Sequence, residues 1–571
     1  MGDTFRTDVL IVGGGAAACR AAIEASDAGA SVILVDKAIF GHSGCSGEHN
    51  GWDMAAGFPF AKDDNPDIHF EDTLRGGGYL NNQRLVRVFA NEVGQRMIDL
   101  ERYGALLERD ESGQVTVTEG SGHSRLRFIA PVHLVTLKEE VRRRAIQIFE
   151  ETMITSLLKS KGKVVGAIAL GARHGNLLVF RAKSTILATG GGGQLYGWGT
   201  VAARSTNPVE KTGDGFAMAY RVGAELVDME MIQFLMGVTY PPQLVGTVLS
   251  IADQRQYLLD GNKFAYAADI PRPKWNRARA IKELLAIVAQ GRGTPHGGVW
   301  LDIPRAFKEW QEKGYVWHFV RLQVIVDQFK SMGIDVTKEM IEVFPTAHHF
   351  CGGIVINERC ETTVPGLYAC GEVSGGMHGS NRLGSNALPE TQVFGKRAGE
   401  YAAKKALETG EIHAAGQDQI EEEVRVLNLL EKDGKFRPHE IRHRLQRLVW
   451  DKINPIRNET DLSSALDGIK EIRENLLPKM YVAQKARACN REWIEALETS
   501  NLVGVAEMIA RAALTRKESR QAHQRSDYPK ADNEKWLVNI CIKKRNGEMK
   551  LFRRPIVATE LSPEQIRREA N

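Results

Sequence analysis

The chain has 571 residues, 43% hydrophobic and 26% charged, the composition of an ordinary water-soluble enzyme rather than of a fibrous or disordered chain. Its length exceeds what one hydrophobic core serves and implies roughly three or four units at about 150 residues each. A formal charge of +4 with no Lys/Arg block leaves no electrostatic footprint for nucleic acid, and no apolar run reaches the roughly 18 residues of a membrane span.

The N-terminal MGDTFRTDVLIVGGG enters a strand directly, with no basic stretch followed by an apolar one. No signal peptide is read there, and the expected placement is cytoplasmic, or peripheral on the cytoplasmic face of a membrane through partner subunits. The seven cysteines, at 19, 45, 351, 360, 370, 489 and 541, form no C-x-x-C pair and no metal-ligand spacing. No metal site is expected, and an iron–sulfur centre would have to sit on another polypeptide.

The apolar run Val9 to Val12 leads into Gly13, Gly14 and Gly15, followed by an alanine-rich segment of helical spacing and a second apolar strand ending at Asp36. The pattern is G-x-G-x-x-A. Gly13 and Gly15 let the backbone approach a pyrophosphate at a helix N-terminus, and Ala18 keeps the helix close to the strand. Asp36, 21 residues beyond Gly15, lies where a ribose 2′-hydroxyl partner is expected. Two later segments, STILATGGGGQLYG (184–197) and VPGLYACGEVSGG (364–376), read as buried strands ending in glycine, the second running into Gly371 and Glu372. Strands closing back onto a nucleotide site point to FAD rather than NAD.

With TGDGFAMAYRVGAELVDMEMIQF (212–234), PTAHHFCGGI (345–354), HGSNRLGSNAL (378–388) and RKESRQAHQRSDYP (516–529), the chain resembles the flavoprotein subunit family of succinate dehydrogenase and fumarate reductase, which includes L-aspartate oxidase and the adenylylsulfate reductase flavoprotein. The resemblance runs almost the whole length. It implies an α/β fold with a discontinuous Rossmann-like FAD-binding domain (1–236 and 350–408), an inserted α+β capping domain (237–349), a C-terminal helical bundle (409–525) and a small tail (526–571). Apolar positions three and four apart in DQIEEEVRVLNLLEKDG, RPHEIRHRLQRLVWDKI and DLSSALDGIKEIRENL agree with antiparallel helices, and the alternating tail turns at Asn546-Gly547 like a hairpin.

The resemblance also assigns site residues. Lys37, Ser43, Gly44, Gly190 and Asp214 fall on cofactor-contacting positions, as do Glu372, Arg382, Ser385, Asn386 and Leu388. Ser385 and Asn386 open a helix whose dipole can stabilise negative charge at the flavin. In family members with a covalently hooked flavin a histidine follows the strand-end lysine by seven residues. Counting from Lys37 without a gap puts Gly44 there and His42 two residues early, so FAD is expected to be held noncovalently.

Arg277 falls on the family's catalytic arginine, His348 on its substrate-carboxylate histidine and Arg382 on its substrate-binding arginine. Ala278 replaces the usual aspartate after the first, and Arg277 sits in a basic stretch that reads equally as a solvated helix. The family's Q-F-H-P-T-G run is here QFLMGVTYPP, with Leu235 in place of the histidine, and the following segment with its threonine and relay glutamate is not matched. The reading is hydride transfer between flavin and a C–C bond of a small organic acid, with electrons exchanged with an iron–sulfur protein subunit. Behind that partner a membrane anchor or a heterodisulfide-reductase-like module is expected. An adenylylsulfate-reductase-like flavoprotein, an electron relay without its own substrate and a free-standing oxidase are the other readings.

Overall fold

The first apolar run is the strand Asp3–Val12, central in a sheet of seven strands among the described residues. The computed structural model describes residues 3–42, 44–48, 53–118, 122–197, 205, 207–240, 255–270, 276–312, 326–327, 329–411 and 416–569. Val9–Val12 pair in parallel with Val32–Val35 on one side and with Ser184–Leu187 on the other, and Leu367–Ala369 adds alongside the latter strand, again in parallel. Because the four strands are parallel and in register, their C-terminal ends lie along one edge of the sheet, where loops of an α/β sheet form ligand crevices. Gly13, Asp36, Ala188 and Cys370 therefore emerge side by side despite their separation in sequence.

Behind this edge the helix Ala16–Asp27 packs on the helix Ala387–Leu407. The approach is backbone-close: a Cβ on Gly399 would stand 2.3 Å from the carbonyl oxygen of Ala21. This contact sets the second helix so that its N-terminus faces the same edge.

A second sheet has the strand order Ile232–Tyr240, Ile341–Phe350, Val299–Leu301, Leu258–Leu259. Its first strand starts among residues expected in the flavin domain and continues without interruption into the expected cap, so a boundary at 236/237 cuts a strand. The helix Arg277–Ala289 packs across it.

The helices Gly416–Glu431, Pro438–Lys452 and Glu459–Glu471 occur where the apolar spacing places them. The longest, Arg491–Thr515, packs against all three and carries buried residues on every face, so it has no stripe to read. The tail hairpin, Val538–Arg545 and Glu548–Pro555, turns at Asn546 and Gly547 with φ of 51° and 81°, as a two-residue hairpin loop requires. It is not a separate unit, since Cys541 and Ile542 pair with Val227 and Leu226.

A buried charge cluster ties these regions together. Arg516, wholly buried, donates from Nε to Glu230 Oε1 at 2.7 Å and from Nη1 to Glu518 Oε1 at 3.0 Å, and Arg520 donates from Nε to Glu518 Oε1 at 2.8 Å. Removing one partner of such a set strands the others' charges in a low dielectric. Arg516→Met is expected to destabilise the fold by about 3–5 kcal/mol, read as a lowered midpoint in urea unfolding, whereas a solvated arginine would leave the midpoint unchanged.

Candidate active site

The strand ends open onto a cavity enclosing about 1510 Å³, part of it open to solvent. Its lining runs from the glycine turn at 13–15 to Arg277, His348 and Arg382, so one cavity joins the nucleotide edge to a group of cationic and imidazole side chains.

At one end lie Gly13, Gly14 and Gly15. Gly13 has φ +123°, and a Cβ there would stand 2.3 Å from the carbonyl oxygen of Ala188; one on Gly14 would stand 1.9 Å from Asp36 Oδ2. The cradle is thus shaped for glycine backbone beside the Asp36 carboxylate. Gly15 has no side chain to cap the helix, and Ser46 Oγ accepts from the first helical N–H, that of Ala16, at 3.2 Å, with this helix start lining the cavity. These residues fit an FAD pyrophosphate and ribose.

Lys37 Nζ donates to Asp214 Oδ2 at 2.7 Å, Thr212 Oγ1 at 2.7 Å and Glu498 Oε1 at 2.9 Å. Burial opposes the ammonium charge, but the two carboxylates outweigh it and hold the Lys37 pKa above its ordinary value; burial likewise opposes the charge of Asp214, and Lys37 holds it below the usual range. Glu498 comes from the long C-terminal helix, and Asn501 on the same helix donates to Asp214 Oδ1 at 2.7 Å. The helical region therefore braces the nucleotide end. Lys211 Nζ forms a short ion pair with Glu372 and lies 3.2 Å from Cys45 Sγ.

Gly44, with φ +74°, lines the cavity together with Cys45 and Ser46. His42 is exposed, and its Nε2 lies 3.3 Å from Lys138 Nζ rather than in the cavity lining. Ser43 lies outside the described residues.

At the other end Arg277, His348, His349, Arg382 and Leu235 line the same cavity. Consecutive residues of a regular strand face opposite ways. Here Gln233 pairs with His349 and Phe234 with Ala347, so His348 is the extra residue of a bulge, and both histidines reach the site. Arg277 is the first residue of its helix, whose start is capped by Asn276 Oδ1 accepting from Arg279 N–H at 2.9 Å and tied to Gln521 Oε1 by Asn276 Nδ2 at 3.2 Å. Arg382 is 4% exposed. Burial first, then the charges of Arg382, Lys211 and Arg277, keep the His349 pKa well below its ordinary value, so this ring is neutral at physiological pH.

Gly190, Ser385 and Leu388 line the cavity; Ala18 and Asn386 do not. Ala18 is fully buried under the helix, and the Asn386 side chain turns to His69 Nε2 and Thr73 Oγ1, both at 3.1 Å. The segment 245–254, where the relay glutamate is unmatched, lies outside the described residues. Sequence reasoning missed Cys45, Lys211, Gln233, His349 and Glu498 as part of the site or its support; His349, beside His348 in PTAHH, and Gln233, which opens the QFLMGVTYPP run, carried a local signal.

The dinucleotide edge, the glycine cradle and the cationic far end define an FAD-dependent oxidoreductase. A family profile described as FAD binding domain matches residues 8–388, and one described as Fumarate reductase flavoprotein C-term matches 442–569. The chain is 39% identical over 554 residues to one of the subunits of the CoM/CoB fumarate reductase of Methanothermobacter marburgensis, covering 95% of this chain and 98% of that one. It is 30% identical over 574 residues to the fumarate reductase flavoprotein subunit of Escherichia coli, covering 92% and 89%. Among solved structures, a variant of the E. coli quinol fumarate reductase flavoprotein superposes with a TM-score of 0.88 at 29% identity over 98% of each chain. The adenylylsulfate reductase of Archaeoglobus fulgidus does so with 0.79 at 21% identity over 97% and 96%, a likeness of fold. The chain belongs to the succinate dehydrogenase and fumarate reductase flavoprotein family.

Gly13→Ala is expected to yield folded protein without flavin, measured as the ratio of visible to ultraviolet absorbance. A second expectation concerns Glu390, 2% exposed in the helix that starts at the cavity, whose pKa is pushed up to about 8 by burial and then by the charge of Glu372. The folded state keeps a proton that the unfolded state releases, so stability falls as pH rises from about 4.5 through about 8. Asp228, raised to about 7 by burial and then by Glu230, acts in the same direction. Glu390→Gln should make the decline in unfolding free energy shallower without abolishing it; an unchanged slope would show that Glu390 ionises normally.

Proposed function

We propose that this chain is the catalytic subunit of a reductase or dehydrogenase acting on the C–C bond beside the carboxylate of a small organic acid. The observation that carries this reading is the convergence of Arg277, His348 and Arg382 with Leu235 on the lining of the cavity that the glycine cradle also lines.

FAD bound along the strand ends supplies the hydride acceptor or donor. Arg382 and His348 hold the substrate carboxylate, fixing the reacting carbon and turning an encounter into a positioned approach. Arg277 moves the proton on the neighbouring carbon. A guanidinium is a poor acid, with a pKa above about 12, so its contribution includes polarising the bond with its fixed charge. Leu235 presents an apolar wall. A second carboxylate set against it would lose its hydration without gaining a donor, so the pocket favours an acid with an apolar group at that end.

The position of His42 and the glycine at 44 support noncovalent FAD. The relatives named as subunits support an assembly with partner chains. An iron–sulfur subunit is the partner chemistry that fits, because the seven cysteines here are separate thiols, and a flavin that exchanges two electrons at once with the acid can exchange them one at a time with a one-electron carrier on another chain. A membrane anchor or a heterodisulfide-reductase-like module would complete the chain of carriers. No helix among the described residues is long and apolar enough to cross a membrane, and a cytoplasmic enzyme, docked on partners where a membrane is involved, is the placement we propose.

The test is to reduce the purified protein anaerobically and add crotonate, fumarate or adenylylsulfate while following the visible flavin band. Reoxidation by crotonate, with fumarate slower and adenylylsulfate silent, is expected; a response to adenylylsulfate alone sinks the reading. Arg277→Ala should keep its flavin and lose roughly 10²–10⁴-fold in turnover. Leu235→His should move the kcat/KM ratio toward fumarate by roughly tenfold or more, and an unmoved ratio would remove Leu235 from the specificity argument.

A further inference from the structure

Two cations that grip one anion repel each other, and something must hold them in place without cancelling their charge. Gln233, 1% exposed, lies between them: its Oε1 accepts from Arg277 Nη1 at 3.2 Å and from Arg382 Nε at 3.2 Å. The amide cannot be turned the other way round. Its Nε2 donates to the backbone carbonyl of Arg382 at 2.7 Å and to Asn381 Oδ1 at 2.7 Å, and a carbonyl oxygen only accepts. Gln233 is held in turn by the strand pairing with His349. One carbonyl oxygen thus connects an arginine from the helix Arg277–Ala289, an arginine from the loop before the helix Ala387–Leu407, and the strand that carries Leu235.

We propose that Gln233 is a positioning residue that sets the distance and orientation of Arg277 relative to Arg382 and that its neutrality preserves the positive charge with which the site binds a carboxylate. The proposal rests on the assignment of the two arginines made under Proposed function. A glutamate at 233 would match the volume and accept from both guanidiniums more strongly, but its charge would offset one of theirs, and its second oxygen would face the Arg382 carbonyl and Asn381 Oδ1 to which the amide now donates. A methionine would keep the volume and lose the acceptor. Glutamine alone of the three supplies an acceptor without a charge.

The experiment uses the flavin-loaded protein carrying Gln233→Glu or Gln233→Met, with flavin content and Tm measured beside kinetics. Binding of fumarate and of crotonate to the oxidised protein is followed by perturbation of the flavin band, a readout independent of turnover. Gln233→Glu is expected to weaken the binding of whichever acid the wild type takes, and to raise its KM, by on the order of tenfold, with a smaller effect on kcat. Gln233→Met is expected to lower kcat per bound flavin by roughly tenfold to a hundredfold through misplacement of Arg277, alongside a fall in Tm from the two buried acceptors it leaves without a donor. Substitution of a merely structural glutamine would lower Tm or flavin content but leave kcat per bound flavin unchanged. If Gln233→Met does not retain flavin, the isosteric Gln233→Glu decides: wild-type KM and wild-type acid affinity in that variant overturn the proposal. Full turnover in Arg277→Ala or Arg382→Ala marks the separate failure of the underlying assignment, and the proposal falls with it.

Discussion

The structure depends on one pairing, that of the strand Ile232–Tyr240 with Ile341–Phe350. The first strand leaves the flavin half of the molecule and the second returns to it, so the inserted segment is joined to the nucleotide site by a hydrogen-bonded ladder rather than by two loose crossings. The irregularity in that ladder matters as much as its presence. Skipping His348 in the register lets two successive histidines face one cavity, which a regular strand forbids. Gln233 and Leu235, two residues apart on the facing strand, share a face and stand about 7 Å apart along it. Much of the chemistry is therefore set by a few residues of one strand pair, with Arg277 and Arg382 delivered to it from either side.

The buried cations along the cavity are held by acceptors of different kinds. Lys37 is met by two carboxylates, Asp214 and Glu498, and Lys211 by Glu372, whose Oε1 also lies 3.8 Å from His349 Nδ1, so burial of these cations is offset locally. Such pairing would keep this region rigid beneath an anionic cofactor bound at the glycine turn. Arg277 and Arg382 share a neutral acceptor, the amide oxygen of Gln233. His349 is neutral because burial and the surrounding cations disfavour its charged form.

The nucleotide half was legible because its signals are local. An apolar run, a glycine turn, a small-residue helix and a terminal acid occur within residues 9–36, and parallel pairing then brings 184–190 and 367–372 to the same edge. The hairpin at Asn546-Gly547 was legible for the same reason, but its docking on Leu226 and Val227 was not, since register between distant strands leaves no mark in either one. The helix Arg491–Thr515 went unread because a segment buried on every face has no periodicity to detect. Its Glu498 and Asn501 reach the nucleotide site across more than 280 residues of sequence, and no spacing rule spans that distance. Asn386 shows the converse: a residue placed at the mouth of a helix by its motif spends its side chain on His69 and Thr73. The bulge at His348 was invisible because it is a property of two strands together.

Leu235 and Gln233 separate two tasks that often fall on the same residues. The strand fixes Gln233 toward the guanidiniums, and through them the carboxylate-binding charge common to any acid the site accepts. The next position on the same face, Leu235, lines the cavity and on the proposed reading meets the other end of the substrate. A change there trades a donor for an apolar contact without altering the acceptor at 233 or the register that holds it, because strand hydrogen bonds are made by backbone and are indifferent to the side chain. For a dicarboxylate, the leucine withdraws a partner from a buried charge, a cost of several kcal/mol in an apolar setting; for an acid ending in a methyl group it supplies the matching surface. Specificity can therefore shift at one position while the arrangement that moves the proton stays intact, which is the physical reason a pocket can keep Arg277, His348 and Arg382 and still take a different acid.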